Sequence, residues 1–186
     1  MKRLKWNHQK QENLCIVLYF MVAAVAILLL ATRSSFLYPC NNWDDANSYF
    51  SVGKAIFNGK LPYREVFDQK GILLYFLYGL CYLLSHTTFA GVFVMECILA
   101  FFDLLGMYRI LLLYMKRNTA LILAPFPLAM MFASYSFYWG GAAEEICLPF
   151  LVWGLYLGLR YFKTEYPQQA MDSRTILVTG VLAGVI

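Results

Sequence analysis

Long apolar segments alternate with short polar ones along the whole chain. The first apolar run, residues 14–32, carries no charge and has about the 20 residues that a helix needs to cross the hydrocarbon core of a membrane. This pattern predicts an all-α protein, a polytopic bundle of transmembrane helices in which residues 1–186 form one transmembrane domain. The further apolar runs are residues 71–85, 89–115, 120–139, 146–162 and 175–186.

The basic residues indicate which runs cross the membrane. If all six runs crossed, the basic segments 116–118 and 160–174 would both lie outside, against the positive-inside bias. The run 71–85 is the shortest interior run, and placing it on the outer side as a juxtamembrane helix returns both segments to the cytoplasm. The N-terminus is predicted to be cytoplasmic because of Lys2, Arg3, Lys5 and Lys10.

The resulting topology has an outer loop with short amphipathic juxtamembrane helices at residues 33–86. The last run is too short to cross, and a helix that stops inside lipid leaves backbone groups unpaired. We therefore expect this chain to be the N-terminal part of a longer protein. The predicted spans are 14–32, 89–115, 120–139, 146–162 and an incomplete 175–186.

The composition agrees with a protein of the cell membrane. Hydrophobic residues make up 61% of the chain and charged residues only 14%, a balance too apolar for a soluble domain of this size. The formal net charge is +4, but the basic residues occur in short clusters beside apolar runs, so no nucleic-acid partner is predicted. The five cysteines contain no C-x-x-C pair and predict no disulfide framework, and the isolated His8 and His86 predict no metal site.

The polar segment 41–71 holds the first candidate site. A short helix is predicted from Asp45, with aspartate as the N-cap and Asn58-Gly59 as the stop. Its apolar side predicts a position in the membrane interface, with Asp44 and Asp45 at the level of the headgroups. Capping explains either aspartate singly, but only one can cap, so the other is a candidate base or ligand.

In the second half of this segment, the charges of the acidic and basic residues cancel. Arg64 and Lys70 bracket Glu65 and Asp68, and such a loop suits a phosphate for the basic groups and a reacting hydroxyl for a carboxylate. Tyr63 joins them as a candidate substrate-binding residue. The alternative is an internal salt-bridge network that only holds the loop in place.

A second acidic pair, Glu144 and Glu145, follows two glycines in "GGAAEE". Glycine lets the backbone approach a ligand closely, so this segment could share an outer cleft with the aspartates and position an acceptor hydroxyl or a divalent cation. The alternative is stabilisation of the glutamates by the dipole of a helix start. The metal requirement stays open.

Two carboxylates lie inside an apolar run. Glu96 and Asp103 are on one helix face and are predicted to turn inward, because charged groups in membrane segments avoid lipid. They suit structural hydrogen bonds more than direct chemistry. In a transporter they could instead line a site near the midplane, together with the interrupted segment 124–127.

The order of an apolar anchor, "DDANSYFSVGKAIFNGKLPYREVFDQKG" and "GGAAEE" resembles the N-terminal part of GT-C class glycosyltransferases. The closest resemblance is to the bacterial relatives of the protein O-mannosyltransferases (glycosyltransferase family 39) and aminoarabinose transferases. This resemblance implies an enzyme that transfers a hexose or pentose from a polyprenyl-phosphate carrier to an acceptor hydroxyl of a cell-envelope glycan, lipid or protein.

The resemblance also implies roles for individual residues. Asp45 matches the general base, with Asp44 as the alternative. Lys70, and more loosely Arg64, match the group that meets the carrier phosphate, and Glu144 or Glu145 matches the acidic residue of the second outer loop. The alternative to an enzyme is a polytopic protein without catalysis: a transporter or flippase half, a scaffold, or an inactive truncated product.

Overall fold

The computed structural model describes residues 2–38 and 40–185, with side chains from residue 11 onward. The described part of the chain is all-helical, which confirms the predicted fold class, and it contains no strand beyond an isolated bridge between Pro62 and Val66. The N-terminal basic side chains and His8 lie outside the described side chains. The eight described helices are α1 Lys2–Ala31, α2 Asp44–Phe57, α3 Ile72–Leu84, α4 Ala90–Leu112, α5 Arg117–Leu123, α6 Pro125–Phe132, α7 Ala143–Thr164 and α8 Ser173–Val185.

Three segments of the described chain are long and apolar enough to cross a membrane. They are Gln11–Ala31 of α1, the whole of α4 and the whole of α7. α3 and α8 are apolar but have 13 residues each, below spanning length. The run 120–139 does not form one continuous helix: a proline cannot donate the helical hydrogen bond, and the chain divides at Ala124 into α5 and α6.

The main core lies where α4 packs against α1, α5 and α6. Its fully buried side chains include Phe20 and Leu28 of α1, Leu104 of α4, and Leu128 and Phe132 of α6. Many large apolar side chains on the opposite helix faces are exposed, among them Val22 at 68% and Met130 at 73%. So much exposed apolar surface is typical of a bundle that faces lipid.

α2 and α3 form a closely packed hairpin on one end of the bundle. Buried Ala46, Tyr49 and Val52 confirm the predicted apolar side of α2, and this side is covered by α3. The helices touch through backbone at Gly53, where an added Cβ would lie 2.6 Å from the amide nitrogen of Gly79. Two glycines therefore set the distance between α2 and α3.

Candidate functional site

The start of α2 differs from the predicted capping. The N-cap residue is Trp43, without a side-chain cap, and both aspartates lie in the first helical turn. Asn41 instead forms a side-chain turn just before the helix, in which its Oδ1 accepts a 3.0 Å hydrogen bond from the Trp43 amide. The prediction of Asp45 as N-cap is therefore wrong: both aspartate side chains are exposed and uncommitted to capping, with only the helix dipole favouring their charge.

The charges of three carboxylates act on the buried hydroxyl of Tyr49, and we call these residues the acidic cluster: Asp45, Asp68 and Glu144. The pKa of Tyr49 is raised to about 12, first by burial and then by the charges of Asp45, Glu144 and Asp68, in that order. The acidic cluster joins residues of α2, the following loop and the start of α7. Of the two adjacent glutamates, it is Glu144 and not Glu145 whose charge acts on Tyr49.

A groove of about 570 Å³ runs along the exposed side of α2 beside the acidic cluster. In sequence order, the lining residues begin with Asp44 and end with Asp68. The residues between these two include the amide of Asn47 and the hydroxyls of Ser48 and Ser51. The groove is wide enough for a sugar-sized ligand and offers it carboxylate acceptors. The lining residues are Asp44, Asn47, Ser48, Ser51, Val52, Val66, Phe67 and Asp68.

Tyr63 holds the loop between α2 and α3 in a fixed shape. It is the non-glycine residue with positive φ in the described chain, at +63°, and its hydroxyl donates a 2.8 Å hydrogen bond to the Lys70 carbonyl. The Lys70 amide in turn donates to the Tyr75 hydroxyl at 2.7 Å. Burial raises the pKa of Tyr75 to about 12, with the neighbouring Asp68 adding to the shift. Tyr63 therefore positions Lys70 through the backbone.

The predicted alternative for this loop, a salt-bridge network, does not form among the described residues. The ion pair within it joins Lys60 to Glu65 at 3.7 Å, and both side chains are well exposed. Arg64 is exposed and Lys70 is half-buried, and neither takes part in a described ion pair. Lys70 borders a small cavity of about 220 Å³ that also contacts Ala143, beside Glu144. Both basic side chains remain open to an anion.

Glu145 does not join the acidic cluster but lies in the interior beside Glu96, and we call these two residues the carboxyl centre. Both are buried, at 2% and 1% exposure, and their side chains are in hydrogen-bonding contact. One Glu145 oxygen accepts a 3.0 Å bond from the Ala142 amide, whereas Oε1 is buried without another partner. Because ionised carboxylates only accept, their contact becomes a hydrogen bond only when one of them carries a proton.

The backbone folds around Glu96. Its carboxylate accepts a 2.6 Å hydrogen bond from the Gly141 amide and another from the Ser34 hydroxyl, and Ser34 is linked to Thr32 at 2.9 Å. Gly140 and Gly141 both have φ of +75°, and a Cβ on Gly140 would lie 2.5 Å from Glu96 Oε1. The predicted close approach at these glycines is therefore made to a side chain of the same protein.

Asp103, the second inward-facing carboxylate, is not part of the carboxyl centre. It is 1% exposed, as predicted for a carboxylate in an apolar helix, and its Oδ1 has no hydrogen-bond partner. The described residues bring together no group of three histidine, cysteine, aspartate or glutamate side chains that could hold a metal ion. The five cysteines are free thiols.

Sequence reasoning missed the residues after α1. Thr32 and Ser34 are buried and bind Glu96, while Arg33 between them stacks on aromatic rings. The compact polar run "TRSS" directly after an apolar helix was the available signal, because polar residues that follow a membrane span are well placed to satisfy buried groups of a neighbouring helix.

The described residues define an all-helical bundle of the membrane-protein class, with three helices of spanning length and a carboxyl centre shared by two of them. Within that class, the chain belongs to the family described as "Putative competence-induced protein Ccs4 N-terminal domain", whose profile matches residues 2–183. No curated protein and no solved structure matches the chain. The family description names no reaction, so the resemblance to GT-C glycosyltransferases stays a prediction.

Proposed function

We propose that this chain is a membrane glycosyltransferase, or the N-terminal part of one, acting on the outer face of the cell membrane. It takes a hexose or pentose from a polyprenyl-phosphate carrier and transfers it to an acceptor hydroxyl of a cell-envelope glycan, lipid or protein. The observation that carries the proposal is the polar groove along α2, which Asp44 and Asp68 line, with Asp45 next to Asp44 in the same helical turn.

Asp45 is the proposed base. It is exposed in the first turn of α2, next to Asp44, and Asp44, which lines the groove itself, is the alternative. The acceptor hydroxyl gives its proton to the Asp45 carboxylate as its oxygen forms a bond to the anomeric carbon. The bond from that carbon to the phosphate oxygen breaks, and the carrier leaves as polyprenyl phosphate.

Lys70 and Arg64 are the proposed partners of the carrier phosphate. Both are cations without a carboxylate partner among the described ion pairs, and Lys70 is held by the Tyr63 and Tyr75 hydroxyls through its own backbone. A lysine fixed in this way stabilises the negative charge that the departing phosphate gains. Glu144 and Asp68 accept hydrogen bonds from sugar or acceptor hydroxyls.

The test is transfer in membranes that contain the full-length protein. With radiolabelled sugar on a polyprenyl-phosphate carrier, Asp45→Asn should lower label transfer to the envelope fraction at least about a hundredfold, in the range for loss of a general base. Glu165→Gln, at a partly exposed residue at the C-terminal end of α7 and remote from the acidic cluster, is the matched control and should transfer at the wild-type rate. Unchanged transfer by Asp45→Asn, with protein levels in the membrane equal to wild type, rejects Asp45 as the base.

The carboxyl centre favours one other function, transport. Buried carboxyl groups on helices of spanning length are typical of proton and ion pathways, and Glu96, Glu145 and Asp103 are such groups. A transporter requires flux across proteoliposomes that Glu96→Gln abolishes and Asp45→Asn leaves intact. The transferase instead requires that Asp45→Asn abolishes its activity. The variants Glu96→Gln and Asp45→Asn therefore distinguish the two functions.

A further inference from the structure

A polar cavity of about 450 Å³ lies beside Arg33; it adjoins the proposed transfer groove at Asn47, which lines both, but contains no residue of the acidic cluster. We call it the Arg33 cavity. Arg33 stands two residues after the end of the apolar segment Gln11–Ala31, the depth at which a membrane helix reaches the headgroups. The cavity is lined by Arg33, Ser34, Ser35, Phe36, Tyr38, Cys40, Asn41, Asn47, Thr87, Thr88, Phe89 and Ala90.

The guanidinium of Arg33 is held in place without being neutralised. Its central carbon lies 4.5 Å from the ring centre of Tyr38 and 4.7 Å from that of Tyr138, and it donates a hydrogen bond to the Tyr138 hydroxyl. Its Nε is buried and has no hydrogen-bond partner. Arg33 takes part in no ion pair within the described residues, so a half-buried cation lacks its counter-charge.

The residues that line the Arg33 cavity favour an anion as its ligand. None of the lining residues is a carboxylate, and the Thr87 hydroxyl, unused by any described hydrogen bond, adds a second donor. The contacts with the Tyr38 and Tyr138 rings restrict the orientation of the guanidinium, which favours the paired hydrogen bonds that a phosphate accepts. Phe36 and Leu37 beside the cavity are 69% and 57% exposed, and they present apolar surface next to the cation.

We infer that the Arg33 cavity binds a phosphate group, with Arg33 and Thr87 as its donors. The exposed Phe36 and Leu37 fit the glycerol and upper acyl segment of a phospholipid, so a lipid headgroup is the expected source and free phosphate is the other. This site does not depend on glycosyl transfer, because its residues are separate from Asp45, Lys70 and Arg64.

The experiment measures binding to the full-length protein in detergent by isothermal titration calorimetry. The probes are a short-chain phosphatidic acid, the matching diacylglycerol without phosphate, and inorganic phosphate. We expect phosphatidic acid to bind and diacylglycerol not to, and Arg33→Gln to weaken binding at least about tenfold, the effect of losing one charge-assisted hydrogen bond. Arg160→Gln, an exposed arginine of α7, is the matched control and should bind as wild type.

Two further variants keep the result interpretable. Arg33→Lys retains the charge but not the planar stacking and should bind with intermediate affinity, and Thr87→Val, which tests the site if Arg33→Gln does not fold, should weaken binding about threefold. Loss of both phosphate probes in Arg33→Gln supports the site, and the tighter probe identifies the source. Equal binding by wild type and Arg33→Gln, or no binding of either phosphate probe to wild type, overturns it.

Discussion

The hydroxyl of Tyr78 donates a 2.5 Å hydrogen bond to the carbonyl of Gly141, and this bond ties α3 to the segment that leads into α7. Tyr78 is fully buried, so neither group has water as a substitute partner. The same Gly141 donates its amide to Glu96. One residue, Gly141, thus connects the α2–α3 hairpin with the carboxyl centre.

Gly141→Ala should destabilise the protein by about 1–3 kcal/mol, because alanine is strained at a positive φ and its Cβ would collide with the Tyr78 hydroxyl. Thermal unfolding in detergent measures the loss. Gly158→Ala is the control, since a Cβ there meets no atom and alanine favours the interior of α7. A Gly141→Ala protein as stable as Gly158→Ala would contradict the close packing at Tyr78.

Gly53→Ala should separate α2 from α3 at a cost of about 1–3 kcal/mol, the usual range for overpacking. The new Cβ would lie 2.6–2.9 Å from backbone atoms of Tyr75, Tyr78 and Gly79, none of which can move aside as a side chain could. Gly71→Ala, where a Cβ meets open space, should change little. Unfolding midpoints of the two variants test the prediction, and equal midpoints would refute it.

Glu145→Gln should be tolerated within about 1 kcal/mol, because an amide can donate to Glu96 and still accept from the Ala142 amide. Glu145→Leu has neither ability and leaves that amide unpaired, which should cost about 1–3 kcal/mol. Chemical unfolding in mixed detergent micelles compares the two. If leucine proves as stable as glutamine, the contact between Glu96 and Glu145 has no hydrogen-bonding role.

Stability should fall at high pH because of Tyr49. An unfolded tyrosine loses its proton near the ordinary pKa of 10.0, whereas folded Tyr49 keeps it to about 12. The raised pKa therefore adds nothing to pH dependence below pH 10, and the free energy of unfolding decreases as pH rises from 10 to 12. The difference in tyrosinate absorbance between wild type and Tyr49→Phe gives the midpoint directly.

The charge of Asp45 provides a second check on the same titration. Asp45→Asn should lower the midpoint of Tyr49, because Asp45 is the largest charged contributor to its raised pKa. Asp172→Asn, at the start of α8, should leave that midpoint unchanged. A Tyr49 midpoint near 10 in wild type, or one insensitive to Asp45→Asn, would show that the acidic cluster does not surround this hydroxyl.

The sequence predicts those features that depend on local periodicity. The helical class, the apolar side of α2 and the inward direction of Glu96 and Asp103 follow from residue spacing, because one helix turn fixes which side chains share a face. The division at Ala124 agrees with the interrupted segment 124–127 of the transporter alternative, whereas the topology treated 120–139 as one span.

Features that depend on packing between distant segments were not predictable. The contact of Glu145 with Glu96 requires the particular packing of α7 on α4, and Glu144, its sequence neighbour, points to the acidic cluster instead. Adjacent residues on a helix differ by 100° in direction, so a pair of glutamates need not share a role. Likewise, the cap of α2 was misassigned because the helix begins after Trp43, whose amide is bound by Asn41 in a turn ahead of the predicted helix.

The glycine contact between α2 and α3 also governs how this end of the molecule can move. Backbone lies against backbone at Gly53, and the Phe57 ring packs on Gly79, so we expect little sliding between α2 and α3 and motion of the hairpin as one unit. Asp45, at the start of α2, and Lys70, just before α3, both belong to this hairpin. If the hairpin rotates against the bundle, the Asp45 carboxylate and the Lys70 ammonium group should therefore move together, and the distance between them should be preserved.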